Sequence, residues 1–200
     1  MARQRGYLST RTVWIFCEGT TERLYFEKHR VAERLSRLRI EVQRSRRTDV
    51  EGIIHYAVNY RKSNSRDFQK DDLVFCVFDC DQSTEEQLQR CEKLAKDNGI
   101  IPIYSNPSFE YWLLCHFGYH PDYYSQTALM QKLREHLPGY EKVDPNTYDH
   151  IKERQHQAIA NAEKILRAHR GAGTHILSTK CNPVTLVHQL METIQELPKG

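Results

Sequence analysis

The chain has 200 residues, 39% of them hydrophobic and 28% charged, with a formal net charge of +3. That length suits one globular domain, or one domain with a helical appendage, and no stretch approaches the roughly 18 uninterrupted apolar residues of a membrane span. Met1-Ala2-Arg3-Gln4-Arg5-Gly6 has no apolar run behind it, so a secretory signal is not expected, the expected location is cytoplasmic, and the six cysteines are expected to be reduced.

In chain order, Thr12–Cys17 is a β-branched and aromatic run that reads as a buried strand. Thr20 or Thr21 then caps a helix carrying Leu24, Phe26, Val31 and Leu35. Ile40 and Val42 alternate with polar neighbours and make Arg39–Arg44 a second strand. Thr48 or Asp49 opens a helix with Ile53, Ile54, Ala57 and Tyr60 on one face, and Lys62–Asp72 is a polar loop. Leu73–Phe78 is the most apolar strand and is expected at the centre. Ser83-Thr84-Glu85-Glu86 is a capping box that opens a helix through Leu88, Cys91, Leu94 and Ala95, stopped at Gly99. Ile100–Tyr104 is the fourth strand.

This alternation predicts an α/β fold, a four-stranded parallel sheet with helices on both faces. After Ser105 the pattern turns helical: an aromatic helix over Phe109–Phe117, a loop over Gly118–Tyr124, a helix over Thr127–His136 and a long helix over Thr147–His169. Asn182-Pro183 then starts a last helix through Leu186, Val187, Leu190 and Ile194. The expected organisation is an α/β core over 10–105 and a mostly helical portion over 106–200, packed together as one unit.

The first and third strands both end in carboxylates, as Glu18-Gly19-Thr20-Thr21-Glu22 and as Asp79-Cys80-Asp81. Ligands bind at the carboxyl ends of parallel strands. Gly19 allows a tight turn, and Glu22 falls in a first helical turn, where the helix dipole favours an acid. Asp79 and Asp81, two apart on extended chain, face the same side. Crowded carboxylates raise one another's pKa unless a cation neutralises them, and hard oxygen donors suit Mg²⁺ or Mn²⁺. One ion or two could then bridge the acids and a phosphodiester. Solvated loop acids at strand ends are the alternative.

The charge is skewed. Residues 1–70 carry 16 Lys and Arg against 8 Asp and Glu, and the rest carry 13 against 18. Arg44, Arg46 and Arg47 are the densest basic group and could steer a polyanion, although dispersed solvated charge explains the skew equally. No C-x-x-C occurs, and Cys115-His116 alone is no zinc signature. His150, His156, His169 and His175 lack metal-ligand spacing and read as helix surface. Tyr123-Tyr124 could stack bases, but a loop packing on the core is the plainer reading.

The E-G-T-T-E of Glu18–Glu22 and the F-D-C-D of Phe78–Asp81 resemble the two signatures of the Toprim fold of topoisomerases, primases and OLD-family nucleases. Most closely the chain resembles the RloB family, a small Toprim-related group. Asn106–Phe117 (N-P-S-F-E-Y-W-L-L-C-H-F), Tyr140 with Lys142, and Asn182-Pro183-Val184-Thr185 extend the likeness over about residues 10–195. The resemblance implies a strand order 2-1-3-4, with Glu18 as general acid/base and Glu22, Asp79 and Asp81 at a Mg²⁺ site. All four acids are thus candidates for catalysis and metal binding.

It also implies a role in restriction or antiphage loci, commonly beside an ABC- or AAA-type ATPase. Asn106 and Glu110 are candidate neighbours of the metal, and His116 reads as a core residue. Lys142 and Lys180 could meet phosphate or simply be solvated. The expected function is a Mg²⁺-dependent nuclease on RNA, tRNA included, or DNA, with a homodimer left open. A non-catalytic adaptor that regulates an ATPase, and an enzyme handling a signalling nucleotide, are the rivals.

Overall fold

The computed structural model describes residues 11–42, 50–80 and 82–199. The expected Arg44, Arg46 and Arg47 patch, the Thr48 or Asp49 cap and Asp81 therefore lie outside the described residues.

The first half alternates β1 (Val13–Cys17), α1 (Thr20–Ala32), β2 (Leu38–Val42), α2 (Val50–Ser63), β3 (Leu73–Asp79), α3 (Glu85–Asp97) and β4 (Ile101–Asn106). The second half adds α4 (Glu110–Cys115), α5 (Gln126–His136), α6 (Thr147–Ile151), α7 (Gln155–Gly171), β5 (Val184–Thr185) and α8 (Val187–Gln195). Among the described residues no helix is long and apolar enough to cross a membrane.

The sheet order is β2-β1-β3-β4-β5. The first four strands run parallel, but β5 pairs antiparallel with β4 through Ser105 opposite Thr185 and Asn106 opposite Val184. The sheet is thus mixed and five-stranded, a correction to the expected four parallel strands. Asn182-Pro183 does not begin a helix. It leads into β5, where Ser105 Oγ and Thr185 Oγ1 share a hydrogen bond of 2.8 Å.

Two-residue alternation sorts the strands' side chains into two cores. Val13, Ile15, Cys17, Phe75 and Val77 face α1 and most of the second-half helices. Trp14, Phe16, Val74, Cys76 and Phe78 face α2 and α3. Each large side chain so buried contributes about 1.5–3 kcal/mol of transfer free energy. All six cysteines are free and buried, and burial pushes the Cys17 and Cys76 thiols well above the usual range.

Several boundaries differ from expectation for local reasons. Thr84, not Ser83, caps α3: its hydroxyl accepts from the Gln87 amide while Gln87 returns the bond to Thr84 N–H. Neither Thr20 nor Thr21 caps α1. Gly19 stands at the cap without a side-chain bond, and the Thr21 hydroxyl instead accepts from Val143 N–H at 3.2 Å. The long helix expected over Thr147–His169 is broken by a 3₁₀ turn at Lys152–Arg154. β3 reaches Asp79 and β4 reaches Asn106, so these two residues belong to the strands.

Candidate active site

β1 and β3 are neighbours in register, Cys17 beside Val77. The pairing continues one step further, with Glu18 N–H donating to the Val77 carbonyl at 3.0 Å. That step carries Glu18 past the strand end, where its Oε2 accepts from Asp79 N–H at 3.1 Å. Asp79 is half-buried, and its Oδ1 accepts from Phe109 N–H at 2.8 Å, which ties the end of β3 to the turn before α4.

Glu22 enters from the first turn of α1 and is 5% exposed. Gly19 gives it room. A Cβ at position 19 would lie 2.7 Å from Glu22 Oε2, inside contact distance. The backbone at Gly19 is ordinary extended chain, φ −123° and ψ 175°. The glycine is therefore needed for space, not for the tight turn expected of it.

Glu110, on the first turn of α4, completes the group and is 1% exposed. Its Oε2 accepts from Ser108 Oγ at 2.6 Å and its Oε1 from Tyr140 Oη at 3.4 Å, and Lys142 Nζ stands 3.6 Å from Oε1. Four carboxylates, one just past β1 and the others on α1, β3 and α4, thus bear on one another. Burial, aided by the Glu18 and Glu110 charges, raises the Glu22 carboxyl to about 7, against its own backbone hydrogen bond and Lys142. Burial, then Glu22, Glu110 and Glu18, pushes the Asp79 carboxyl well above the carboxylate range, with Lys142 opposing. Among the described residues no three His, Cys, Asp or Glu side chains converge tightly enough to hold a metal ion as they stand.

Other expected residues lie elsewhere. Asn106 turns toward the β5 side. It donates to the carbonyls of Thr179 at 3.3 Å and Ser178 at 3.4 Å, and accepts from Asn182 at 3.3 Å. His116 is fully buried, its Nδ1 facing the Trp112 and Leu113 carbonyls at 3.0 and 3.2 Å, as a core histidine should be. His150, His156 and His175 are exposed and His169 half-buried, while Lys180 is exposed near β5. Ser108 and Tyr140 gain a role that local sequence pattern did not assign, as partners of Glu110. Ser108 sits two residues before Glu110, and Tyr140 with Lys142 is part of the family likeness, but neither pattern gives the contact with Glu110.

No curated protein and no solved structure matches this chain. The model of the RloB-like protein family matches residues 13–194, which take in all five strands and the whole acidic group, and the chain belongs to that family.

Proposed function

We propose that the chain is a metal-dependent nuclease of the Toprim type, hydrolysing phosphodiester bonds in RNA, tRNA included, or in DNA. One observation carries the reading. Glu18 and Asp79, 61 residues apart in sequence, are tied together at the carboxyl ends of adjacent parallel strands, Glu18 Oε2 accepting from the Asp79 amide at 3.1 Å, and their charges bear on a buried Glu22. A fold keeps such mutually repelling groups where a ligand repays the cost.

The donors are hard oxygens, which suits Mg²⁺ or Mn²⁺. Glu22, Asp79 and Asp81 would hold the ion. When bound, it compensates the crowded negative charge and lends Lewis acidity toward a phosphodiester. Glu18 is fixed by the Asp79 amide and exchanges the proton with the attacking or leaving oxygen. Glu110 holds Lys142 at the rim, where the ammonium meets a phosphate oxygen. Arg44, Arg46 and Arg47 steer the polyanion. Family membership supports the setting, an effector of a prokaryotic antiphage or abortive-infection system with an ABC- or AAA-type ATPase partner.

A second reading has one observation in its favour. Glu110 already has Ser108, Tyr140 and Lys142 as partners, so part of the charge is compensated within the chain. A non-catalytic adaptor that regulates an ATPase needs no ion there. The test is incubation of the purified chain with labelled DNA, total RNA and tRNA, with Mg²⁺ or Mn²⁺, beside Glu18→Gln and Asp79→Asn. Loss of a proton-transfer group costs about 10²–10⁴-fold in rate. Equal cleavage by both variants removes the nuclease reading, and full biological activity and ATPase binding by both establishes the adaptor.

A further inference from the structure

Beside the acidic group lies a cavity of different chemistry, of about 470 Å³. Cys80, Asn106, Pro107, Tyr123, Tyr124 and Asn182 are among the residues that line it. Cys80 directly follows Asp79, and Pro107 stands two residues before the Phe109 amide that binds the Asp79 carboxylate at 2.8 Å. The cavity and the acids therefore share the ends of β3 and β4.

None of the described residues lining this cavity carries a formal charge: they are amides, hydroxyls, a thiol, a proline and two tyrosines. Two other cavities among the described residues, about 610 and 450 Å³, are lined by lysine, arginine and carboxylates. A neutral wall rich in both donors and acceptors brings no side-chain cation to a phosphate. It suits a flat, uncharged group with a mixed hydrogen-bonding edge.

The lip of the cavity is built to present an aromatic ring. Asn182 clamps the backbone of Tyr124 on both sides, Oδ1 accepting from its N–H at 3.1 Å and Nδ2 donating to its carbonyl at 2.9 Å. The Tyr124 ring packs inward, 8% exposed, with its centroid 6.3 Å from that of Tyr111. Tyr123, next to this clamp, is turned out and 75% exposed. An aromatic on pinned backbone offers a stacking face at low entropic cost, because only two side-chain torsions remain to be ordered.

We propose that this cavity is a nucleobase subsite, in which one unpaired base stacks on Tyr123 with its edge against the uncharged wall. The proposal rests on the nuclease reading and deepens it. The phosphodiester lies at the acids and the adjoining base in the neutral pocket, so the substrate class is single-stranded or loop nucleic acid. In a duplex, base faces are covered by stacking and unavailable to the ring, whereas every unpaired base offers one.

The test is equilibrium binding by fluorescence anisotropy, with the full chain, short labelled single strands and duplexes of the same sequence, and Ca²⁺ in place of Mg²⁺. AMP and CMP serve as small competitors. One base–aromatic contact is worth about 1–3 kcal/mol, so Tyr123→Ala should weaken single-strand binding about tenfold. Tyr123→Phe and Tyr123→Trp should keep it, duplex binding should be unmoved, and Tyr123→Ala should melt with the parent chain. Unchanged single-strand binding in Tyr123→Ala, or equal loss in Tyr123→Phe, overturns the subsite. If single strands are meanwhile cleaved in a Glu18-dependent way, the nuclease reading survives that loss. Tyr123-dependent binding of AMP or CMP by a chain that cleaves no polymer sinks the nuclease reading and leaves the base site standing. A chain that binds neither strands nor nucleotides removes both.

Discussion

Two regions of this molecule bury titratable groups and treat them in opposite ways. At the strand ends, Glu22, Asp79 and Glu110 are crowded with Glu18, and two of them are pushed up in pKa by burial and by one another. Away from those acids, the helical half and its contact with α1 bury three histidines. His29 Nδ1 pairs with Tyr148 Oη at 3.0 Å, His116 Nδ1 with the Trp112 carbonyl at 3.0 Å, and His188 Nδ1 with the Thr185 carbonyl at 3.0 Å. Burial lowers His29 and His116 to about 4, so each is neutral at pH 7 and buries no charge, at the cost of an Nε2 left without a hydrogen-bond partner. A histidine can shed its charge on folding, but a carboxylate held near neutrality can do so only in part. The helical half is built to be stable, whereas the acidic group is left in tension that a bound cation would relieve.

The largest effect that separates the regions should come from paired substitutions. His116→Ala removes a fully buried ring that packs edge-on to Trp112 at 4.9 Å, and should cost about 2–4 kcal/mol in denaturant melts. Glu22→Gln should instead stabilise the metal-free chain at pH 7, by up to about 3 kcal/mol, because it removes an ionisation that burial opposes. A destabilised Glu22→Gln would end the contrast.

The pH dependence sharpens it. Glu22 is raised from 4.5 to about 7, so the folded chain holds that proton more tightly. Its stabilising share is full below pH 4.5 and is lost as the pH rises through about 7. His29 and His116 are lowered from 6.5 to about 4, so their share is full above pH 6.5 and is lost as the pH falls through about 4. Each is worth about 3 kcal/mol. Melting of Glu22→Gln between pH 4 and 7 should therefore rise more steeply with pH than melting of the parent. Parallel curves would show that Glu22 is not raised.

Saturating Mg²⁺ should stabilise the chain by about 2.7 kcal/mol at a hundredfold excess over its Kd, and Asp79→Ala should abolish that shift. A shift of equal size in Asp79→Ala would move the ion elsewhere. Smallest in stability is Gly19→Ala. The atoms nearest the new methyl are the end of the flexible Glu22 side chain, so the fold should lose less than about 1 kcal/mol. Calorimetry should nevertheless show much weaker Mg²⁺ binding, because the Glu22 carboxylate must move aside.

The two regions were unequally legible. β1 and β3 announce themselves as apolar runs that stop at acids, and Glu18 and Asp79 do meet. Glu110 could be noticed beside them but not weighed, because its partners Tyr140 and Lys142 lie 30 or more residues away. β5 was invisible: two residues carry no periodicity, and their direction is set by long-range bonds such as Asn182–Asn106, Ser105–Thr185 and Leu186 N–H to the Tyr104 carbonyl. Ser83-x-x-Glu86 and Thr84-x-x-Gln87 are overlapping capping boxes, and local pattern does not choose between them. The break at Lys152–Arg154 falls within unbroken helical spacing, since Tyr148, Ile151, Gln155, Ala158, Ala162 and Ile165 are all buried at steps of three and four.

The short return strand also governs how this sheet could join another. At the β5 margin only Val184 and Thr185 are available, too few to template a further strand, whereas β2 presents five residues from Leu38 to Val42. Among the described residues, only the β2 flank is long enough for strand-by-strand growth. Two copies meeting along β2 would leave a blunt margin at each end, so that mode of assembly stops at a pair and cannot run on into a fibre.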